Sequence, residues 1–329
     1  MKRVLYLSGP HINVEKGYWL YDQVAKDGYK IVPFYLYRYG HSRDFSTRIH
    51  QYTRSLSLVF KSRKDDIVLL YDVTTAFILI GLMVNLLLLK RNIVCVNFMG
   101  NGTKEGYERW KSIIIGYAFK NLKIGVNSSE LRDMYSNNLK IDTCNFYIVK
   151  DCISNVSLQD CDCTPDEDNY IFMGGNTHRD WKLFKEVVRG MPNYKFVAAL
   201  AGNDLDDIKE CENLTVYKNI SLNDFNRLVA KCKIVFLPLS TDVQGGLLVA
   251  FQGNVYHKPV IISNSISTET YYGDNDVAKI PIGDVESSKK TIEKLLNDSE
   301  FYNAVANNGY EKVIDLSPDN IYRVIKEQF

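Results

Sequence analysis

Gly245 and Gly246 stand where an apolar run, KIVFLPL, gives way to a helix-like run, LLVAFQGNVY, with VIIS following. Ser240–Pro259 and its flanks therefore read as strand, glycine turn, helix, strand. The first turn of a helix has unpaired backbone N–H groups and a partial positive charge, so it suits a phosphate. Glycines there let a diphosphate approach the main chain closely. Close packing of helix on strand is the alternative use of the same pair. A second glycine turn, Gly174-Gly175, follows the run YIFM, and Arg179 stands at its far side. A guanidinium holds phosphate with two parallel N–H donors, which marks Arg179 as the leading cation. A surface arginine, or a capping pair with Asp180, is the alternative. Lys185 is a second cation, with a solvated position as its competing reading.

Other polar residues fall at the ends of strand-like runs, where open α/β sheets bind ligands. Thr268 and Tyr271 lie on a loop after VIIS, and a structural turn accounts for them equally well. Ser8-Gly9-Pro10-His11 follows the first strand and faces a cleft between the two halves, with a plain surface position as the alternative for His11. Asn101 lies in Met99-Gly100-Asn101-Gly102, after the strand ending at Phe98. That run lacks the third glycine of a dinucleotide fingerprint. Asn127-Ser128-Ser129 reads as a helix cap, and Ser221, with Asp224 three residues on, as another.

Strand-like and helix-like segments alternate through most of the 329 residues. The apolar runs lack two-residue alternation, as expected for parallel strands covered on both faces. The length suits two domains. The segment Cys152–Asn169 is polar and acidic and reads as their connection. The expected organisation is α/β throughout, with two Rossmann-like parallel-sheet domains facing a central cleft. The first spans 1–153, a linker 154–168, and the second 169–314. A final helix, 315–329, packs back on the first domain.

Hydrophobic residues make up 46% of the chain, charged residues 24%, and the net charge is +1. This is a globular composition, and its balance argues against a nucleic-acid partner. Seven cysteines without paired spacing fit a reducing compartment. Cys152, Cys161 and Cys163 match no zinc spacing, so no metal is expected. The start, MKRVLYLSGPH, reads as a strand rather than a targeting segment. Ala76–Leu89 is the strongest apolar run, shorter than the roughly 20 residues of a membrane span. It reads as a helix buried in an α/β layer or one touching a membrane surface. Tyr35–Lys64 is basic with aromatic residues interleaved, from Arg38 to Lys64 against the lone acid Asp44. A solvated helix face and contact with anionic lipid headgroups both fit it. A cytoplasmic protein is expected, in contact with the inner face of the membrane if the second holds.

MGGNTHRDWKLFKEV, SLNDFNRLVAKCKIVFLPL, GGLLVAFQGNVYHKPVIIS and STETYYGDND together resemble the donor domain of family-4-type glycosyltransferases. The resemblance covers about residues 170–310. In the first half it rests on the element order and on VNSSELRDMY. It implies the GT-B architecture. It also implies retaining, metal-free transfer from a nucleotide diphosphate sugar to a saccharide or lipid-linked acceptor, in cell-surface polysaccharide biosynthesis. No other cofactor is implied. The donor diphosphate would meet Gly174, Gly175, Arg179, Gly245 and Gly246. The family carries two glutamates with seven residues between them, and Gln244 and Gln252 occupy those places here. The resemblance puts Gln244 on the donor sugar, Gln252 on the ribose and Thr268 beside them. A glutamine hydrogen-bonds hydroxyls but supplies no negative charge. Asp242 could partly replace the missing charge. Catalytic groups are unassigned, with Gln244, Asp242 and His11 as candidates. Two other functions stay open: a non-catalytic nucleotide-sugar-binding subunit, and a nucleotide-sugar epimerase on the same fold. The second wants clustered carboxylates and histidines, which the sequence does not offer.

Overall fold

The structure is a computed structural model. It describes residues 2–37, 45–71, 74–98, 109–154, 169–202, 204–207, 211–241 and 246–329. The chain divides into two compact units, Met1–Cys152 with Leu316–Phe329, and Ile153–Asp315.

In the first unit the elements run β1 (Arg3–Pro10), α1 (Trp19–Lys26), β2 (Lys30–Tyr37), α2 (Phe45–Lys61), β3 (Ile67–Tyr71), α3 (Thr74–Leu86), β4 (Asn92–Val96), α4 (Arg109–Phe119), β5 (Lys123–Val126), α5 (Ser129–Leu139) and β6 (Phe146–Ile148). The six strands are parallel in the order β2-β1-β3-β4-β5-β6. Val4–Leu7 and Ile67–Leu70 are continuously buried, the pattern of strands covered on both faces. Phe77 and Ile80 of α3 pack against this sheet with Phe98, Phe119 and Tyr135. The apolar run therefore ends mostly inside the helix layer. Among the described residues no helix is long and apolar enough to cross a membrane. Ser8 and Gly9 are the closing residues of β1 and are buried, not part of a loop after it. Pairing with β2 extends to Pro10↔Tyr37, so ladder bonding carries the strand past the glycine. Ser128 caps α5, its hydroxyl accepting the Leu131 N–H at 3.2 Å.

In the second unit the elements are β7 (Ile171–Gly174), α6 (Trp181–Gly190), β8 (Phe196–Leu200), β9 (Leu214–Lys218), α7 (Leu222–Lys231), β10 (Ile234–Leu237), α8 (Leu248–Val255), β11 (Val260–Ser263), α9 (Ile266–Tyr271), β12 (Ala278–Ile280), α10 (Val285–Asn297) and α11 (Ser299–Ile314). Its parallel order is β12-β11-β10-β7-β8-β9. The chain builds outward from β7 through β9 and then restarts at β10 on the other side of β7. The switch point lies between β7 and β10, where open α/β sheets leave a crevice beyond the strands' carboxyl ends. Phe172, Phe184, Phe196 and Phe236 fill the sheet faces, all fully buried. The last helix, α12 (Pro318–Lys326), returns to the first unit and packs on α1.

Candidate functional site

The glycine turn after β7 and the one before α8 both lie at this switch point. The peptide Asp180 N–H donates to Pro238 C=O at 2.8 Å, and Ser240 N–H to His178 C=O at 2.9 Å. These bonds lay 178–180 antiparallel to 238–240, with Arg179 opposite Leu239. The Arg179 side chain then turns under both loops. Its Nε donates to Gly174 C=O at 2.8 Å. Its Nη1 donates to Thr177 C=O at 3.2 Å and Gly246 C=O at 3.0 Å. Arg179 is only 7% exposed, and no carboxylate pairs with it among the described residues. Burial alone pulls its pKa down from the usual value to about 10. Its Nη2 has no acceptor among the described residues and lies beside Gly175. A Cβ on Gly175 would come within 3.1 Å of that nitrogen. A Cβ on Gly246 would meet Nη1 at 2.9 Å, and both glycines have positive φ, 88° and 82°. Only glycine lets the two loops close on the guanidinium this way.

Just past Gly246, α8 opens at Leu247, which offers no side-chain cap, and its first turn has no acid. Among the described residues no side chain caps its leading amides, whose positive end suits an anion. Val249 Cγ2 stands 3.5 Å from where a Gly175 Cβ would be, so α8 borders the same hollow. One turn on, Gln252 is 7% exposed. Its Nε2 donates to Asn226 Oδ1 at 3.2 Å, and its Oε1 has no partner among the described residues. An orphaned buried acceptor fits a hydroxyl donor.

The structure thus brings Gly174, Gly175, Arg179, Gly246 and Gln252 into one neighbourhood of the second unit. Gly174 is the last residue of β7 and faces inward, its Cβ position 2.6 Å from the Phe225 ring. Thr268 lies in α9, a helix where the sequence suggested a loop. Ser265 caps that helix, accepting the Thr268 N–H at 3.2 Å. The six-residue run ISTETY carries too many β-branched and polar residues to announce a helix. Thr268 is fully buried, and its hydroxyl donates to Ser263 C=O at 2.8 Å. Tyr271 packs its ring on Phe251, with centroids 5.1 Å apart. Lys185 pairs with Asp207 at 2.7 Å. Gly9 and His11 belong to the first unit, where His11 opens a short 3-10 turn after β1. Asp242, Gln244, Gly245 and Asn101 lie outside the described residues, as do Cys161 and Cys163. No group of three or more His, Cys, Asp or Glu able to hold a metal occurs among the described residues. The sequence reading missed Asn226 and the carbonyls of Thr177 and Gly246. The sequence pointed to α7 itself, through Ser221 as an N-cap and the run SLNDFNRLVAKC, but not to Asn226 within it.

No protein-family model and no curated protein matches the chain. Solved structures do. A glycosyltransferase from Rickettsia africae ESF-5 superimposes with a TM-score of 0.70 at 13% identity, over 99% of this chain and 98% of that one. HepE from Anabaena in complex with UDP-glucose gives 0.67 at 11% identity, over 99% of each chain. Sucrose-phosphate synthase from Thermosynechococcus elongatus gives 0.68 at 13% identity, over 99% and 97%. The two parallel-sheet units of this chain have the GT-B fold that these glycosyltransferases share.

Proposed function

We propose that this chain is a glycosyltransferase that moves a sugar from a nucleotide diphosphate sugar to a saccharide or lipid-linked saccharide acceptor. One observation carries the reading. A buried guanidinium, with no carboxylate partner among the described residues and one nitrogen unclaimed there, sits at the switch point of a GT-B fold beside an uncapped helix start. A buried cation without a counter-charge is costly, and an anionic ligand removes that cost.

In the reaction, an acceptor hydroxyl oxygen forms a bond to the sugar's anomeric carbon while that carbon's bond to the diphosphate breaks. Negative charge grows on the departing diphosphate, and the hydroxyl proton passes to its oxygen. In this reading Arg179 Nη2 and the first amides of α8 meet that charge. Fixed donors of this kind lower the barrier because they need no reorganisation. The remaining donors of Arg179 are held by Gly174, Thr177 and Gly246, so the fork is already oriented. Gln252 Oε1 would accept a ribose hydroxyl, and Gln244 and Gly245 would complete the contacts to sugar and phosphate. In this reading the transfer retains the anomeric configuration, needs no metal, and serves cell-surface polysaccharide synthesis. It takes place at the cytoplasmic side, with the basic Tyr35–Lys64 stretch toward the membrane. Retention, metal independence and the polysaccharide role rest on the family resemblance of the donor half; the cytoplasmic side rests on the unpaired cysteines and the membrane contact on the basic, aromatic composition of Tyr35–Lys64.

A panel of nucleotide sugars beginning with UDP-glucose, assayed for nucleoside diphosphate release with and without saccharide acceptors, tests it. Release of a nucleoside diphosphate supports transfer. No release and no binding of any nucleoside diphosphate sinks it. The neutral Gln252, at a place where the family has a carboxylate, favours one second reading, a subunit that binds the donor without turning it over. Tight binding with no release under any acceptor would select that reading.

A further inference from the structure

In a parallel sheet each crossover helix runs from the carboxyl end of one strand to the amino end of the next. The helices α2, α3 and α4, neighbours in one layer, therefore end at a common edge. It is the edge opposite the strand ends where ligand loops gather. Hydrogen bonds tie the three ends together. Arg91 Nε donates to Ser62 Oγ at 2.9 Å, linking the segments after α3 and α2. Asn85 Nδ2 donates to Ala118 C=O at 3.2 Å, and Asn121 Nδ2 to Asn85 Oδ1 at 2.7 Å, linking α3 and α4.

Large apolar side chains project into solvent there. Phe60 is 72% exposed, Leu86 69% and Leu88 88%, with Leu87 and Tyr117 also exposed. Ile49, Tyr52 and Leu56 are exposed too, and their spacing with Phe60 puts all four on one face of α2. Between α4 and α5 runs a groove of about 1030 Å³ lined by Ile113, Tyr117, Leu139 and Ile141, with Lys120, Lys140 and Asp142 among its borders.

Leu88 carries the argument furthest. The Leu89 N–H reaches back to Val84 C=O at 2.9 Å, closing α3 with a turn whose left-handed residue is Leu88, at φ 51°. Glycine is the usual residue there, because a side chain costs strain in that conformation. A buried leucine could recover the cost by packing, but this one is almost wholly in solvent. Folding alone favours glycine at 88, so the leucine points to something outside the chain.

The surrounding charge says what. Lys61, Arg63, Lys64, Lys90, Arg91 and Lys120 flank the apolar residues. Across 60–65, 86–91 and 117–123 the one exposed carboxylate is Asp65. Protein interfaces are depleted in lysine, whereas lysines beside exposed leucines suit lipid, their stems lying on acyl chains and their ammonium groups at anionic headgroups.

We propose that this edge docks the protein on a membrane surface carrying anionic lipid, with Leu86–Leu88 and Phe60 entering the headgroup boundary inside a ring of lysines. The proposal rests on the membrane part of the functional reading and places the contact. It does not rest on sugar transfer.

The test is co-sedimentation of the full chain with vesicles of phosphatidylcholine, with and without phosphatidylglycerol. Binding is expected on the anionic vesicles and is expected to weaken with added salt. Leu88→Gly should reduce it about tenfold while leaving Tm unchanged or raised, since glycine relieves the turn. A Lys64→Glu, Lys90→Glu double variant should reduce binding on anionic vesicles to the level seen on neutral ones. Arg179→Ala should bind vesicles as the parent does, so a failed transfer assay leaves this result standing. Absence of binding to either vesicle overturns the proposal, as does binding indifferent to both variants. Self-association in sedimentation velocity that Leu88→Gly abolishes, without vesicle binding, would assign the edge to a second copy instead.

Discussion

Arg179 Nη1 donates to the Gly246 carbonyl at 3.0 Å, joining two loops that lie 67 residues apart in sequence. The guanidinium thus has two jobs. It closes the switch-point crevice from below and presents a positive nitrogen within it. The two can be separated by substitution.

Arg179→Lys keeps a charge and loses the fork. Affinity for UDP, measured by isothermal titration calorimetry, is expected to fall by about 2 kcal/mol, a factor of roughly thirty. Arg179→Ala should lose at least as much and should also lower Tm, because three carbonyls lose their donor. Unchanged UDP affinity in both variants removes Arg179 from the site.

Gln252 has its Nε2 committed to Asn226, and its Oε1 has no partner among the described residues. Gln252→Leu should weaken UDP binding by about 1–2 kcal/mol and leave binding of 2′,3′-dideoxy-UDP little changed. An equal loss for both ligands would mean that Gln252 only packs. Gln252→Glu keeps an acceptor and should retain discrimination between the two.

Asp66 is buried and held by Arg3, whose Nε lies 2.9 Å from Oδ1, and by the Arg63 N–H at 2.7 Å. The Arg3 hydrogen bond is the main reason its pKa lies below the ordinary aspartate value. A carboxyl whose folded pKa is depressed stabilises the fold above its unfolded pKa, near 3.9, and loses that contribution as pH falls through the folded value. Asp66→Asn should therefore lower Tm at neutral pH, and the gap to the parent should shrink below about pH 4. A gap independent of pH would show that the carboxylate charge contributes nothing.

The last helix is fixed to α1 by polar and apolar contacts together. Tyr322 Oη donates to Asp27 Oδ2 at 2.8 Å, Lys326 Nζ lies 2.8 Å from the same oxygen, and Ile325 is fully buried. Ile325→Ala should destabilise the first unit by about 2–4 kcal/mol in urea denaturation. A loss below about 0.5 kcal/mol, typical of surface positions, would mean that α12 adds little to that core.

Much of this architecture was legible in the sequence, because continuous apolar runs separated by helical patterns leave few alternatives to parallel sheets. The glycine turns were legible too, since Gly175 and Gly246 sit where positive φ and close approach demand them. Besides the short helix α9 and the carbonyls that hold Arg179, other features were not. The strand through Ser8–Pro10 is held by its neighbour's ladder, which the local glycine and proline conceal. The bond from Gln252 to Asn226 joins two helices and follows no short spacing. Leu88 read as one more leucine in an apolar run, because its left-handed φ arises from where α3 stops.

Asp27 meets Tyr322 and Lys326 across almost the whole chain, while every element from β7 to α11 is contiguous. During synthesis the ribosome delivers the first unit's sheet early but its helix α12 only after the whole second unit. The second unit can finish its own core beforehand. Nascent chains stopped anywhere before residue 316 would carry an uncovered α1 face, so exposure to chaperones and proteases should persist on the half that is made first.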